Sequence, residues 1–203
     1  MLHPNIPNQI QGGCHDTVSM HCTDNVDIAI DCYKKLQERL TSVNEWHTFS
    51  DKIKAEFALF DGKTQQPTSV VKKGNLIRIE VPGIGNPSGG GYDWTKIVAI
   101  QTGEAEQGAP FLLLSVRPCP APKCTDGTVA HFYNGEASST FIVRRVGTCI
   151  YAEVHGRNEI ENTSTVPVMD TIRNKAVAIG SKLGIGNLNW LGFTQALLEP
   201  FKN

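Results

Sequence analysis

Residues 138–157 have the sequence SSTFIVRRVGTCIYAEVHGR, in which apolar and polar side chains alternate on both sides of Gly147. This alternation is typical of β-strands with one buried face. A glycine at the first central position is what a two-residue type II′ turn requires, so Val146 is predicted to pair with Cys149 across a tight hairpin. Because the side-chain period of a strand is two, this one pair determines the register of all the others.

The predicted register gives the hairpin one apolar and one polar surface. Phe141 and Val154 lie opposite each other on the apolar surface. The polar surface carries Glu153, His155 and Arg157, which are residue types suited to acid–base chemistry. Since apolar packing decides which side of a sheet turns inward, we expect this polar run to lie on a solvated face.

The period-two pattern also occupies most of the chain before the hairpin. Turn residues divide it at the spacing of an antiparallel meander. No helical pattern separates the strands, which excludes a parallel sheet with crossover helices. The predicted strands are 16–22, 53–60, 76–81, 93–101, 111–117, 129–133, 138–146 and 149–157.

Two amphipathic helices flank the meander. Asp24 is predicted to cap the first, whose apolar side chains recur every three or four residues from Val26 to Val43. The second begins near Pro167 and ends at Gly184. Its apolar stripe comprises Met169, Ile172, Ala176, Ile179 and Leu183.

Length and charge limit the class of protein. The 203 residues favour a single domain over 16–203, with a flexible arm at 1–15 and an extra helical segment from 188. The 19 Lys and Arg nearly cancel the 20 Asp and Glu, so we expect no binding to nucleic acid. The chain has neither a signal-peptide pattern nor a long apolar run, which predicts a cytoplasmic protein without membrane insertion.

The cysteines predict neither a disulfide scaffold nor a metal site. Six cysteines are few for this length, and thiols stay reduced in the cytosol, so we expect six free thiols. In an oxidising compartment, Cys119 and Cys124 are close enough in sequence to bridge. No Cys-x2-Cys pair occurs, and the neighbouring His21 and Cys22 point to opposite strand faces, so no metal is expected. No cofactor is expected either.

The order of a strand, an amphipathic helix, a long antiparallel meander and a C-terminal helix resembles the START and Bet v 1-like (SRPBCC) superfamily. The resemblance covers residues 16–185 and is one of topology. It implies an α+β helix-grip fold, in which a curved sheet of about seven or eight strands packs on a long C-terminal helix. It also implies a cavity between sheet and helix that binds an apolar small molecule, such as a lipid or a polyketide.

The expected ligand-binding residues lie on both walls of that cavity. Tyr92 and Trp94 follow the glycine-rich loop 83–91, where amphipathic rings suit a cavity mouth, although core packing is the alternative for them. The loop has Gly-x-Gly spacing but leads into a strand instead of a helix, which argues against a dinucleotide site. The full expected set is Tyr92, Trp94, Phe141, Val143, Ile172, Ala176 and Ile179.

Two other functions are compatible with the sequence. One is a cofactor-free cyclase, dehydratase or hydrolase that uses His131 or His155 inside the cavity, although no catalytic residue is assigned. The other is a protein-interaction module, with the glycine loop and the segment from Leu188 as its contact surface. A histidine or carboxylate pointing into the cavity would favour the enzyme.

Overall fold

A seven-stranded antiparallel sheet organises the chain, in the order β1-β7-β6-β5-β4-β3-β2. The computed structural model describes residues 3–82, 85–105, 108–162 and 190–202. The strands are β1 (Gly13–Cys22), β2 (Glu56–Phe60), β3 (Leu76–Glu80), β4 (Asp93–Ala105), β5 (Ala109–Pro118), β6 (Ser138–Val146) and β7 (Cys149–Glu159). Within these residues the α-helices are α1 (Val26–Thr41) and α2 (Trp190–Leu198), and 3-10 turns occur at Val43–Thr48, Pro87–Gly89 and Glu199–Phe201.

The β6–β7 hairpin has the predicted register. Val146 pairs with Cys149 and Phe141 with Val154. Gly147 has a φ of 57°, the left-handed conformation for which glycine carries no side-chain penalty. The local turn residue therefore determined the pairing of the whole hairpin.

Two other predictions of local structure are wrong. Residues 129–133 do not form a strand: Ala130 instead donates to the Cys119 carbonyl and accepts from the Trp94 N–H, which bridges the end of the β4–β5 pair. The helix α1 is capped by Asn25 and not by Asp24, since the Asn25 side chain accepts the Ile28 N–H at 2.9 Å.

The concave face of the sheet holds the main core. Helix α1 covers β6 and β7, and α2 packs against β1, β7 and α1. Phe193 and Leu197 of α2 are buried in this core, whereas Leu191 is 52% exposed. The predicted α+β fold, a curved antiparallel sheet with a C-terminal helix, is confirmed. The predicted helix containing Ile172, Ala176 and Ile179 lies outside the described residues.

The N-terminal segment, predicted to be a flexible arm, packs across the convex face. Ile6 is buried in a cluster with Phe111, Leu113 and Ile142. Asn158 holds the next part of the segment, since its side-chain oxygen accepts the backbone N–H of Ile10 at 2.8 Å. Both faces of the sheet are therefore covered in this region.

The prediction of a solvated polar face on the hairpin is wrong. Glu153, His155 and Arg157 are 7%, 0% and 4% exposed. Their charges are compensated by one another and by Arg144 and Asp16, which makes burial tolerable. The sequence rule failed because the covering segment comes from a distant part of the chain.

A disulfide joins Cys22 of β1 to Cys149 of β7, which corrects the expectation of six free thiols. The two residues are directly paired across the strands, and 127 positions separate them in sequence. Disulfides are rare in the reducing cytosol, so the bond argues against the predicted cytoplasmic location. None of the described helices is long and apolar enough to cross a membrane.

Thiol counting tests this bond. Denatured but unreduced protein should show four reactive thiols, and reduction should raise the number to six. The Cys149→Ser variant should lose about 2–4 kcal/mol of unfolding free energy, because the open chain regains the entropy of a long loop. Cys14→Ser, which changes an exposed free thiol, serves as the control. Six thiols without reductant would contradict the assignment.

Candidate functional site

A cavity of about 60 Å³ lies on the concave side, at the end of the sheet where β4 and β6 begin. Most of its wall is apolar, and the remainder is a group of polar side chains. The apolar wall comprises Trp46, Phe57, Ile77, Ile79, Val81, Val116, Phe132, Phe141 and Trp190. The polar group comprises Asp93, Thr95, His131, Tyr133, Ser139 and Glu159.

Two buried polar atoms of this wall have no hydrogen-bond partner among the residues that the structure describes. They are the Thr95 hydroxyl oxygen and the Trp190 indole nitrogen, Nε1. Thr95 is 4% exposed and Trp190 is 9% exposed, so bulk water does not solvate them well. An unsatisfied buried polar group costs about 1–3 kcal/mol. Both atoms would therefore gain from a polar group placed in the cavity.

His131 gives the polar end a neutral, basic side chain. Its Nδ1 accepts the Tyr133 backbone N–H at 3.0 Å, so the neutral ring carries its proton on Nε2. Burial lowers the pKa of His131, and the nearby carboxylates of Asp93 and Glu159 offset only part of this effect. The histidine is thus kept uncharged beside two carboxylates.

Glu159 reaches the cavity through an irregularity in β7. Simple alternation would place it on the convex face with Arg157. Asn158, however, has a φ of 55°, and the register of β1 with β7 shifts at this point. Such a bulge reverses the facing of the residues beyond it. Asparagine is one of the few side chains that tolerate this left-handed conformation.

Glu159 links two further groups of the site. Its Oε1 lies 3.0 Å from Nδ1 of His15, and its carboxylate acts on the pKa of the nearby Tyr133 hydroxyl. Burial raises the pKa of Tyr133, and the charge of Glu159 raises it further. The tyrosine therefore acts as a hydrogen-bond donor over the whole range of neutral pH.

The structure separates the predicted ligand-binding residues. Phe141 lines the cavity, and Val143 lies on the same face within the core under α1. Tyr92 and Trp94 lie on the convex face, where they line a second, open groove. Three residues, Ile172, Ala176 and Ile179, lie outside the described part of the chain. Their roles in binding, like those of the other four, stay predictions.

Sequence reasoning missed most of the polar group. It named His131 only as an alternative, and it did not name Thr95, Asp93 or Glu159. Alternation along β4 could have found Thr95, because it shares a face with the buried Ile97. The sequence signal for Glu159 was weaker, because no neighbouring residue indicates that Asn158 adopts a left-handed conformation.

His155, the other histidine considered for catalysis, lies outside the cavity. It faces the convex side, where its Nδ1 is 2.6 Å from Asp16 and its Nε2 is 2.9 Å from Glu153. Glu153 also accepts a hydrogen bond from Arg144. The ring is completely buried between its partners, so the hypothesis that His155 acts inside the cavity is wrong.

Across residues 3–82, 85–105, 108–162 and 190–202, no group of three or more histidine, cysteine and acidic side chains is arranged to hold a metal ion.

Comparison with known proteins identifies no family. No family model matches the chain, and no curated protein matches it. A hypothetical protein from Helicobacter pylori is a similar solved structure, with a TM-score of 0.44 and 10% identity over 92% of this chain and 82% of that one.

Two plant proteins are also similar. Truncated norcoclaurine synthase from Thalictrum flavum has a TM-score of 0.37 at 10% identity, over 94% of this chain and 98% of that one. Major latex-like protein 151 from Panax ginseng has a TM-score of 0.34 at 10% identity, over 82% and 97%. At TM-scores of 0.44 or less, these similarities establish neither a family nor a function.

The buried charge network predicts a pH dependence of stability. Burial acts to raise the pKa of Glu153, but the His155 hydrogen bond and the Arg144 charge outweigh it, so the pKa is lowered. A carboxylate whose pKa is lower in the folded state contributes stability above its unfolded pKa, near 4.5, and loses that contribution as the pH falls. The free energy of unfolding should therefore decrease below about pH 5.

The Glu153→Gln variant should lose about 1.5–3 kcal/mol at pH 7 and show a shallower decline between about pH 5 and pH 3, as measured by urea unfolding. Glu136→Gln changes an exposed carboxylate and should reproduce the wild-type pH profile. A Glu153→Gln profile parallel to the wild type would show that the network does not contribute in this way.

Proposed function

We propose that the cavity binds a small, mostly apolar molecule that carries one hydrogen-bonding group. The observation that carries this proposal is the pair of unpartnered polar atoms, Thr95 Oγ1 and Trp190 Nε1, in a wall that is otherwise largely aromatic and aliphatic. Ligand sites commonly combine an apolar lining with a few convergent polar groups. The apolar body of the ligand would contact Trp46 and Phe141, and its polar group would meet Thr95.

The size of the cavity limits the ligand. A volume of about 60 Å³ is less than half that of an apolar cavity of about 150 Å³ that accepts benzene. A lipid or polyketide would need several hundred Å³. We therefore propose a compact ligand, on the scale of a single ring, whose binding moves the surrounding side chains.

The experiment uses p-cresol as the probe and toluene as its apolar analogue. Their binding is followed through the indole N–H signals of the three tryptophans in a ¹⁵N–¹H spectrum. Trp190 reports the cavity, and Trp94 lies on the opposite face as an internal reference. We expect p-cresol to shift the Trp190 signal saturably and to leave the Trp94 signal unchanged.

Thr95→Val tests the role of the hydroxyl. Loss of one neutral hydrogen bond, about 1 kcal/mol, should weaken p-cresol binding about fivefold without weakening toluene binding. The variant should be at least as stable as the wild type, since it replaces an unsatisfied buried polar group by an apolar one of similar shape. Thr102→Val, an exposed change on the same strand, is the matched control. No shift at Trp190, or equal p-cresol affinity in the wild type and Thr95→Val, would overturn the proposal.

One observation favours catalysis as a second candidate. His131, Asp93 and Glu159 bring a neutral base and two carboxylates to the same cavity, which is the condition named above for an enzyme. The test of catalysis uses the ester p-tolyl acetate, whose hydrolysis consumes one water molecule and releases p-cresol and acetate. Release of p-cresol that His131→Gln abolishes without loss of p-cresol binding would favour the enzyme; no release above the uncatalysed rate would favour binding alone.

A further inference from the structure

A groove lies on the convex face of the sheet. It is separate from the cavity, which lies on the concave face. It is an open groove of about 700 Å³, within the size range of small-molecule sites. Its floor is aromatic, formed by Phe60, Tyr92 and Trp94. Its two sides are formed by the 64–66 turn and by the 88–90 and 121–126 loops.

The groove contains an arginine whose guanidinium has no acceptor in the described part of the chain. The Arg78 guanidinium lies 4.3 Å from the Tyr92 ring centroid and 5.7 Å from that of Phe60. Among the described residues, it has neither a carboxylate within 4.0 Å nor a hydrogen-bond acceptor. Stacking between two rings orients a guanidinium and leaves its edge free to donate. Arg78 is therefore held in place with its donors unused.

The glycine-rich loop shapes the groove instead of binding phosphate. A Cβ on Gly89 would lie 3.1 Å from Trp94 Cδ1, so glycine lets the loop pack closely on the indole. Gly90 and Gly91 have φ values of 66° and 98°, which favour glycine. The N–H groups of residues 88–91 already donate to Asn86 and Pro87, so they are not available to a phosphate.

The charges of the groove select the charge of a ligand. Arg78 and Lys123 are cationic. The opposing carboxylate is Asp126, whose pKa is lowered to about 2 by hydrogen bonds from Cys124 and Thr128. These three side chains leave a net charge of about +1, which a monoanion would neutralise.

We propose that this groove binds a small aromatic monocarboxylate. The carboxylate would accept two parallel hydrogen bonds from Arg78, the pairing that the planar guanidinium makes best. The ring would lie against Tyr92 and the exposed part of Phe60. This site is independent of the cavity proposed above, because the two lie on opposite faces of the sheet.

The test titrates the wild-type chain with 2-naphthoate and with its neutral analogue 2-naphthamide. We expect 2-naphthoate to shift the Trp94 indole N–H signal, whose proton is donated to Gly89, and to leave that of Trp190 unchanged. The Arg78→Gln variant should bind 2-naphthoate at least about tenfold more weakly, since it loses charge-assisted hydrogen bonds. Its affinity for 2-naphthamide should stay within about twofold of the wild type.

Lys96→Gln is the matched control, because it removes a positive charge from the same sheet face outside the groove. It should change 2-naphthoate affinity less than about twofold. An unshifted melting temperature of Arg78→Gln shows that the variant is folded. Shifts at Trp190 alone, equal affinity for acid and amide, or equal losses in Arg78→Gln and Lys96→Gln would overturn the proposal. Failure of p-cresol to shift the Trp190 signal, together with a 2-naphthoate shift at Trp94, would overturn only the cavity proposal.

Discussion

The contact of Trp46 with three other aromatic rings connects the separate parts of this fold. Its ring centroid lies 5.2 Å from Phe57, 5.1 Å from Phe141 and 5.0 Å from Phe193. These rings come from β2, β6 and α2, so Trp46 joins both halves of the sheet to the C-terminal helix. Its indole N–H donates to the Leu40 carbonyl at 3.1 Å, which satisfies the polar group in the buried site.

The cavity depends on the same rings. Trp46, Phe57 and Phe141 form its apolar wall, and Trp190, which contacts Phe141 at 5.5 Å, extends that wall from α2. The polar side chains of the cavity lie near strand ends. Among them, Glu159 points inward because of the Asn158 bulge. Asn158 also binds the N-terminal segment, so the residue that shapes the site holds the cover of the opposite face.

Local sequence patterns correctly predicted features that depend on interactions between neighbouring residues. Gly147 and the alternation around it predicted the hairpin register, because turn geometry and side-chain period act over neighbouring residues. The same alternation was wrong about the polar face, because β1 supplies Asp16 as a charge partner and the N-terminal segment with Ile6 packs on the same convex face, both from far along the chain. Cys22 and Cys149 likewise meet only because β1 returns to pair with β7. The inward position of Thr95 could have been predicted from the sequence. The inward position of Glu159 could not, because it depends on a backbone conformation that composition does not reveal.

The Trp46 ring cluster binds α2 into the concave face and thereby builds the cavity wall. The most direct measurement compares Phe193→Ala with Leu191→Ala by chemical unfolding. Phe193 is 3% exposed and contacts Trp46, whereas Leu191, two residues earlier on the same helix, is 52% exposed. We expect Phe193→Ala to lose about 3–5 kcal/mol of unfolding free energy and Leu191→Ala to change it by less than about 0.5 kcal/mol. Similar small losses in both variants would contradict it.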